Sequence, residues 1–351
     1  MTSRADSSAG TSAQRAAWAK IRSRRGTSEA ATPPVMSTMA GFRLLTIIPI
    51  TVPSARQARS TISPAIGSPS AAASKTTRAV GAFRSLDVDG AYTWYRHTEF
   101  EAPGIIGTFF KRQVASAEAV ARHSAAGSRG GGAVGVRASW ERHDFAGSLS
   151  TSDAHSGTLA AFVIQEVEVG PLRLEAGARY DWARVDPIEK NPFSRIGDIR
   201  TRTFHASSGS LGALYRVSEA VAVGGSLARA FRVPDVNELF SEGPHLAAYT
   251  FEVGNPELGT EVGTGFDAFV RVGRGGWRAE LTGFYNRLAG YVYPRETGDT
   301  SRVGLPVFQY GGEDAVFTGF EGRLEADVLG GLVVETTASY VRGTLTATSK
   351  P

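Results

Sequence analysis

Residues 172–185 read LRLEAGARYDWARV. Leu172, Leu174, Ala176, Ala178, Tyr180 and Trp182 alternate strictly with Arg173, Glu175, Gly177, Arg179 and Asp181. A period of two places one set on each face of an extended chain, so the stretch is a strand with one apolar and one polar face. It is longer than the roughly 5–6 residues of an ordinary globular strand. It exceeds the roughly 9–11 that a tilted strand needs to cross a bilayer. The same period runs through 83–100 (Leu86, Val88, Tyr92, Trp94) and through 133–145 (Val134, Val136, Ala138, Trp140).

Working outward from these three, about eleven strands are expected: 83–100, 107–122, 133–146, 158–169, 172–185, 203–217, 219–231, 262–272, 276–292, 305–328 and 331–345. Their connections alternate. Short ones are Ser128–Gly132, Gly170-Pro171, Val217-Ser218, Gly273–Gly275 and Leu329-Gly330. Long ones are 147–157, 186–202, 232–261 and 293–304, with a shorter one at 101–106. Tight turns on one side and large loops on the other are the asymmetry of an outer-membrane barrel. Strands rising toward the long loops carry an aromatic near the outer end of the apolar face: Tyr92 and Trp94, Trp140, Tyr180 and Trp182, Tyr285, Tyr340. Such residues form a girdle at a membrane interface. A soluble secreted β-sandwich would need a second layer over each apolar face, and no later segment reads as one. The expected fold is all-β, a transmembrane antiparallel up-and-down β-barrel in the bacterial outer membrane.

The first eighty residues differ. They hold eleven of the chain's 38 Lys and Arg and two of its 34 Asp and Glu, so the net +4 conceals an acidic remainder. These basic residues are scattered through Ala, Ser and Thr rather than laid on a face with aromatics, which argues against nucleic-acid binding. Such a composition buries too little apolar surface to offset chain entropy. The expectation is that 1–80 is a low-complexity, disordered or non-native extension and that 81–351 is the barrel domain. The apolar run 44–50 is too short for a spanning helix. The chain has no Cys, which excludes disulfides and thiolate chemistry.

The longest connection follows ARAFRVP at 228–234. It continues NELFSEGPH at 237–245 and resumes at Gly254-Asn255-Pro256. Pro234 ends the strand, since it fixes φ and cannot donate to a ladder. Asn255-Pro256 starts a turn. Some thirty residues is far above the usual connection of about 4–6 and points to function.

Arg232, Pro234, Asn237, Glu238, Leu239, Phe240, Gly254, Asn255 and Pro256, set in this order, resemble the barrel signature of TonB-dependent outer-membrane receptors. With Ser241, Gly243, Pro244, His245, Phe251 and Glu252 the stretch is similar to the zinc and metal-uptake subgroup. YRHTEFE (95–101), FYNRLAGYVYPRETG (284–298) and LPVFQY (305–310) extend the likeness over 81–351. The resemblance implies a 22-stranded barrel, of which this chain supplies about half. It also implies a plug and a TonB-binding segment, neither of which is legible in 1–80. On this reading the chain is a fragment of a receptor for a scarce ligand, a metal ion such as zinc or an iron-siderophore, with TonB the partner of the full-length parent and outer-membrane lipid its surroundings. Competing expectations are a passive porin or structural barrel, or a non-functional truncated product.

No G-x-S-x-G elbow, P-loop or H-E-x-x-H occurs, so no enzyme is expected. No resident cofactor is expected either, Zn²⁺ or a ferric chelate being transported cargo. Five histidines fall in the outer half beside carboxylates, a pairing that suits zinc and similar ions. The candidate ligand-binding residues are His245, Glu242, His97 and Glu99, with His245 the candidate metal ligand. Asn237 and Glu238 are expected to cap or brace the loop.

Overall fold

A computed structural model describes residues 70–347 apart from 81–82, 125–129, 148–149, 191, 193, 247 and 330. The expectations for 1–69 lie outside the described residues. The rising and falling strands are β1 (Ser70–Val80), β2 (Phe83–Ala102), β3 (Ile105–Ser124), β4 (Gly130–Gly147), β6 (Ala154–Val169) and β7 (Leu172–Pro187). They continue as β8 (Arg202–Arg216), β9 (Val221–Arg232), β12 (Glu261–Arg274), β13 (Trp277–Thr300), β14 (Pro306–Leu329) and β15 (Leu332–Leu345). Shorter elements fill two connections: β5 (Ser150–Thr151), then α1 (Val236–Phe240), β10 (Ser241–His245) and β11 (Thr250–Val253).

Neighbours in sequence pair antiparallel along the whole wall, from β1 to β15, in one sheet. All eleven expected strands are present. Among the described residues no helix is long and apolar enough to cross a membrane; the crossing elements are strands. The alternation is inside-out by the standard of a soluble fold. On β7, Tyr180 is 50% exposed and Trp182 36%, while Asp181 between them is 5% exposed and held by Arg179 at 2.6 Å. Tyr92, Trp140, Tyr285 and Tyr340 stand exposed on the same outer face. The apolar face therefore looks toward lipid, and the charged face toward the lumen.

Three expectations change. The barrel boundary moves back from 81, because β1 pairs with β2 from Ser70↔Trp94 to Val80↔Phe83. The segment SAAASKTTRAV lacks the large apolar side chains that mark the other strands, and ladder pairing is made by backbone. The loop expected at 293–304 shrinks to 301–305, and that at 101–106 to a turn at Gly104 (φ 80°). Above the apolar band a hairpin continues as paired backbone without any need for apolar alternation, so the sequence signal fades before the strand does.

Inside the lumen, several rings lie across glycines on the next strand. Phe162 opposes Gly135 and Phe269 opposes Gly224 directly. A Cβ on Gly135 would fall 2.4 Å from Phe162 Cζ. A bare backbone there lets the ring lie flat along the wall, which pins register as well as packing.

The inside-out assignment has a direct test on β8. Leu211→Arg, on the lipid face, should cost about 2–4 kcal/mol of unfolding free energy in vesicles, whereas Ser210→Arg on the lumen face should cost little. Urea titrations of the vesicle-inserted chain measure both.

Candidate functional site

The segment from Val233 to Thr260 is folded down onto the barrel rather than standing out as an open loop. Asp235 caps α1: its side chain accepts from the Asn237 amide at 2.9 Å, and Glu238 accepts from the Asp235 amide at 2.7 Å, a capping box. The same Glu238 receives Arg232 Nη1 at 2.7 Å, while Arg232 Nη2 donates to Glu261 at 3.2 Å. Glu261 also accepts the Val292 amide at 3.0 Å. Arg232, at the top of β9, thus ties the incoming strand, the helix and the outgoing strand into one charged knot. Glu238 braces the segment, as expected for it.

Above the knot sits the apolar core of the chain. Val236, Leu239 and Phe240 from α1, with Leu258 from the returning chain, pack with Ala154, Ala183, Val185, Phe204 and Val292 from the inner rim. Phe240 and Leu239 are fully buried, as is Pro256. The Gly-Asn-Pro turn runs beneath α1: the Gly254 amide donates to Ser241 O at 2.7 Å and the Asn255 amide to Glu238 O at 2.8 Å. A Cβ at Gly254 would lie 2.7 Å from the Phe240 nitrogen, so only glycine fits. Asn255 Oδ1 accepts the Glu257 amide at 2.9 Å, the turn its side chain was expected to form. The spacing of these residues is therefore a packing code.

Beyond α1, β10 and β11 form a hairpin, and this hairpin is a strap. β11 pairs in parallel with β14 (Phe251↔Val307 to Val253↔Gln309), and β10 pairs with β5 in the connection between β4 and β6. The strap runs from β14 back to the far side of the wall. On it, Gly243 opposes Glu252, and His245, two residues along the same face, is the diagonal neighbour of Glu252. His245 Nδ1 and Glu252 Oε1 are 2.6 Å apart, and the Tyr310 hydroxyl donates to Glu252 Oε2 at 3.2 Å.

The expected site residues are partly assembled. His97 and Glu99 sit on the lumen face of β2 with Nε2 and Oε1 3.6 Å apart, the imidazole stacked on Phe110 at 4.4 Å. His97 Nδ1 is buried and has no hydrogen-bond partner among the described residues. Hydrogen bonding to Glu252 raises the His245 pKa above its ordinary value, and the charges of Glu252 and Glu99 add to that against burial. The wall pair and the strap pair thus share one electrostatic neighbourhood. Glu242 lies three residues before His245, so the period of two places it on the opposite face of β10. Of the other histidines, His143 faces the lumen, 3.2 Å from Glu141. His155 and His205 lie on the outer wall beside Trp140 and Tyr180. Among the described residues no group of three or more His, Asp and Glu gathers in a metal-holding arrangement.

Glu252 and Tyr310 are the residues that sequence reasoning missed in this role. Both stand in quoted motifs, but their meeting depends on hairpin register and on a parallel pairing. Tyr249, at the hairpin tip, is 71% exposed with φ at 57°, a rare conformation for an aromatic residue.

Two outcomes follow from this geometry. Arg232→Ala leaves Glu261 buried without its cation and should lower stability by about 3–5 kcal/mol, read as an earlier urea midpoint. Because the folded pKa of His245 is raised, the His245–Glu252 pair stabilises the strap fully below the unfolded value of about 6.5. That contribution is lost as pH rises through the higher folded pKa. Amide exchange in β10 and β11 should accelerate over that window, and His245→Gln should flatten the profile.

A model of the TonB dependent receptor-like β-barrel family matches residues 55–350. Among solved structures, the chain is similar to the copper transporter OprC, with a TM-score of 0.67 at 15% identity over 79% of this chain and 46% of that one. It is similar to the Serratia marcescens hemophore receptor HasR, bound to its hemophore HasA and heme, with a TM-score of 0.63 at 15% identity over 79% and 48%. The siderophore receptor PirA from Pseudomonas aeruginosa gives a TM-score of 0.56 at 15% identity over 79% and 57%. The chain spans about half the length of the solved structures it matches.

Proposed function

Because the chain belongs to the TonB-dependent receptor β-barrel family, whose members are outer-membrane transporters and not enzymes, we propose that it forms barrel wall and mouth of a receptor for a scarce, metal-bearing ligand. The ligand is a zinc ion or a ferric siderophore, and the parent protein draws its energy through TonB. The observation that carries this reading is the presence of two imidazole–carboxylate pairs, His97 with Glu99 on the lumen face of the wall and His245 with Glu252 on the strap that crosses the mouth. Imidazole beside carboxylate suits a divalent cation directly, or the polar rim of a chelate by hydrogen bonds. His245 and Glu252 already occupy each other's donor atoms at 2.6 Å. That favours a ligand bringing its own metal coordination over a bare ion, and the names of the similar structures span copper, siderophore and heme. The spacing of Glu238, Phe240, Gly243, His245 and Glu252 supports the metal-uptake subgroup.

Calorimetric titration of the full chain with Zn²⁺ and, separately, with a ferric siderophore tests the reading. One of the two should bind, and His245→Ala should weaken it about tenfold, or ~1.4 kcal/mol. Silence with both ligands, or an unchanged affinity in His245→Ala, would overturn it.

A further inference from the structure

Where the strap leaves α1, three buried side-chain oxygens come together. Ser241, the first residue of β10, is fully buried, and Thr151 on β5 is 8% exposed. Ser241 Oγ, Thr151 Oγ1 and Asn237 Oδ1 are all closed off from solvent, and none has a hydrogen-bond partner among the described residues. The fold sets them side by side. Ser241 and Thr151 are direct partners in the antiparallel β10–β5 ladder, so their side chains share a face with Cβ atoms about 4.5–5.5 Å apart. Asn237 lies one helical turn before Ser241, and the Ser241 amide closes that turn on the Asn237 carbonyl. Residues four apart on a turn share a stripe, with Cβ atoms about 5–6 Å apart.

The backbone around these oxygens is already committed. The Ser241 carbonyl accepts the Gly254 amide at 2.7 Å, and the Asn237 carbonyl takes the Ser241 amide. Thr151 is fixed from its own side. There Asp153 accepts the Phe145 amide on its carboxylate and the Ile188 amide on its carbonyl, both at 2.7 Å. A buried oxygen left bare carries its full desolvation cost, and native folds meet that cost with a partner or an ordered water. The set comprises one carbonyl acceptor and two hydroxyls that donate or accept. No carboxylate belongs to it. Glu238 is engaged by Arg232, and Glu242, next to Ser241 on β10, points to the opposite face. An uncharged set of oxygens suits a small neutral molecule rather than a divalent ion.

We propose that one buried water molecule binds among Asn237, Ser241 and Thr151, donating to the Asn237 oxygen and to one hydroxyl and accepting from the other. Three partners are the usual number for a buried water. This water ties the end of α1 and the start of the strap to the β4–β6 connection, where the β10–β5 ladder itself offers only two residue pairs. It is a latch on the strap, and it is independent of what the mouth binds.

Hydration NMR of the full chain in detergent micelles tests this. The Ser241 amide should show a cross-peak to a long-lived water, and Thr151→Val, which removes the hydroxyl and keeps the shape, should abolish it. Amide exchange along β10 supplies a second readout. Thr151→Val and Asn237→Leu should each raise the opening constant about fivefold. Together they should raise it by less than the product, because both act on the same water. Oxygens buried bare predict the reverse, so slower opening in Thr151→Val would overturn the proposal. Absence of the cross-peak in the unmodified chain would do so without any variant having to fold. An opening constant that changes when K⁺ replaces Na⁺ at constant ionic strength would mark a bound cation instead, and would overturn it too.

Discussion

Hydrocarbon offers a peptide group no hydrogen-bond partner, and everything in this chain follows from meeting that condition. Each N–H and C=O that crosses the bilayer has to pair within protein, so the crossing segments must be strands laddered to one another. Between the outer edges of β1 and β15 the ladder does this with neighbours in sequence, through hairpins, so no crossover is needed. The side chains are then free to alternate lipid against lumen, which is why Tyr180 and Trp182 are exposed while Asp181 is buried against Arg179.

At the mouth the problem reverses, because water returns and apolar groups must be hidden. The segment after β9 solves it by folding inward. Arg232 joins Glu238 and Glu261, α1 drops Val236, Leu239 and Phe240 onto the inner rim, and Gly254 lets the returning chain pass beneath. A rigid base of this kind allows the β10–β11 strap to carry His245 and Glu252 across the opening at a fixed height. Among the described residues the buried apolar core therefore lies not in the wall but under the site.

Much of this was legible beforehand, and the reasons are local. Strand existence and face were readable wherever large apolar residues alternated, as in 172–185. They were unreadable where pairing rests on backbone with small side chains, as in β1, or where strands run past the lipid, as at the end of β13 and at the turn between β2 and β3. Glu238 announced a brace and Asn255-Pro256 a turn, since those residues act on their own neighbours; Asn237, expected to cap or brace, gives only its amide to Asp235, and its Oδ1 is buried with no hydrogen-bond partner among the described residues. Two of the four candidate ligand residues, His97 and Glu99, are two apart on one strand and so had to share a face. Glu242 and His245 are three apart, and that odd spacing separated them once β10 proved to be extended.

By itself the sequence determined the period, eleven of the wall strands, the side on which the girdle lies and the local chemistry of the turn. Each of these depends on residues close together in the chain. Only the tertiary structure decided that α1 packs inward, that β11 joins β14 in parallel, and that His245 meets Glu252, Tyr310 and the field of Glu99. Those contacts join residues up to about 150 positions apart in sequence, and they form only once hydrogen-bond register and curvature have brought the strands to one place.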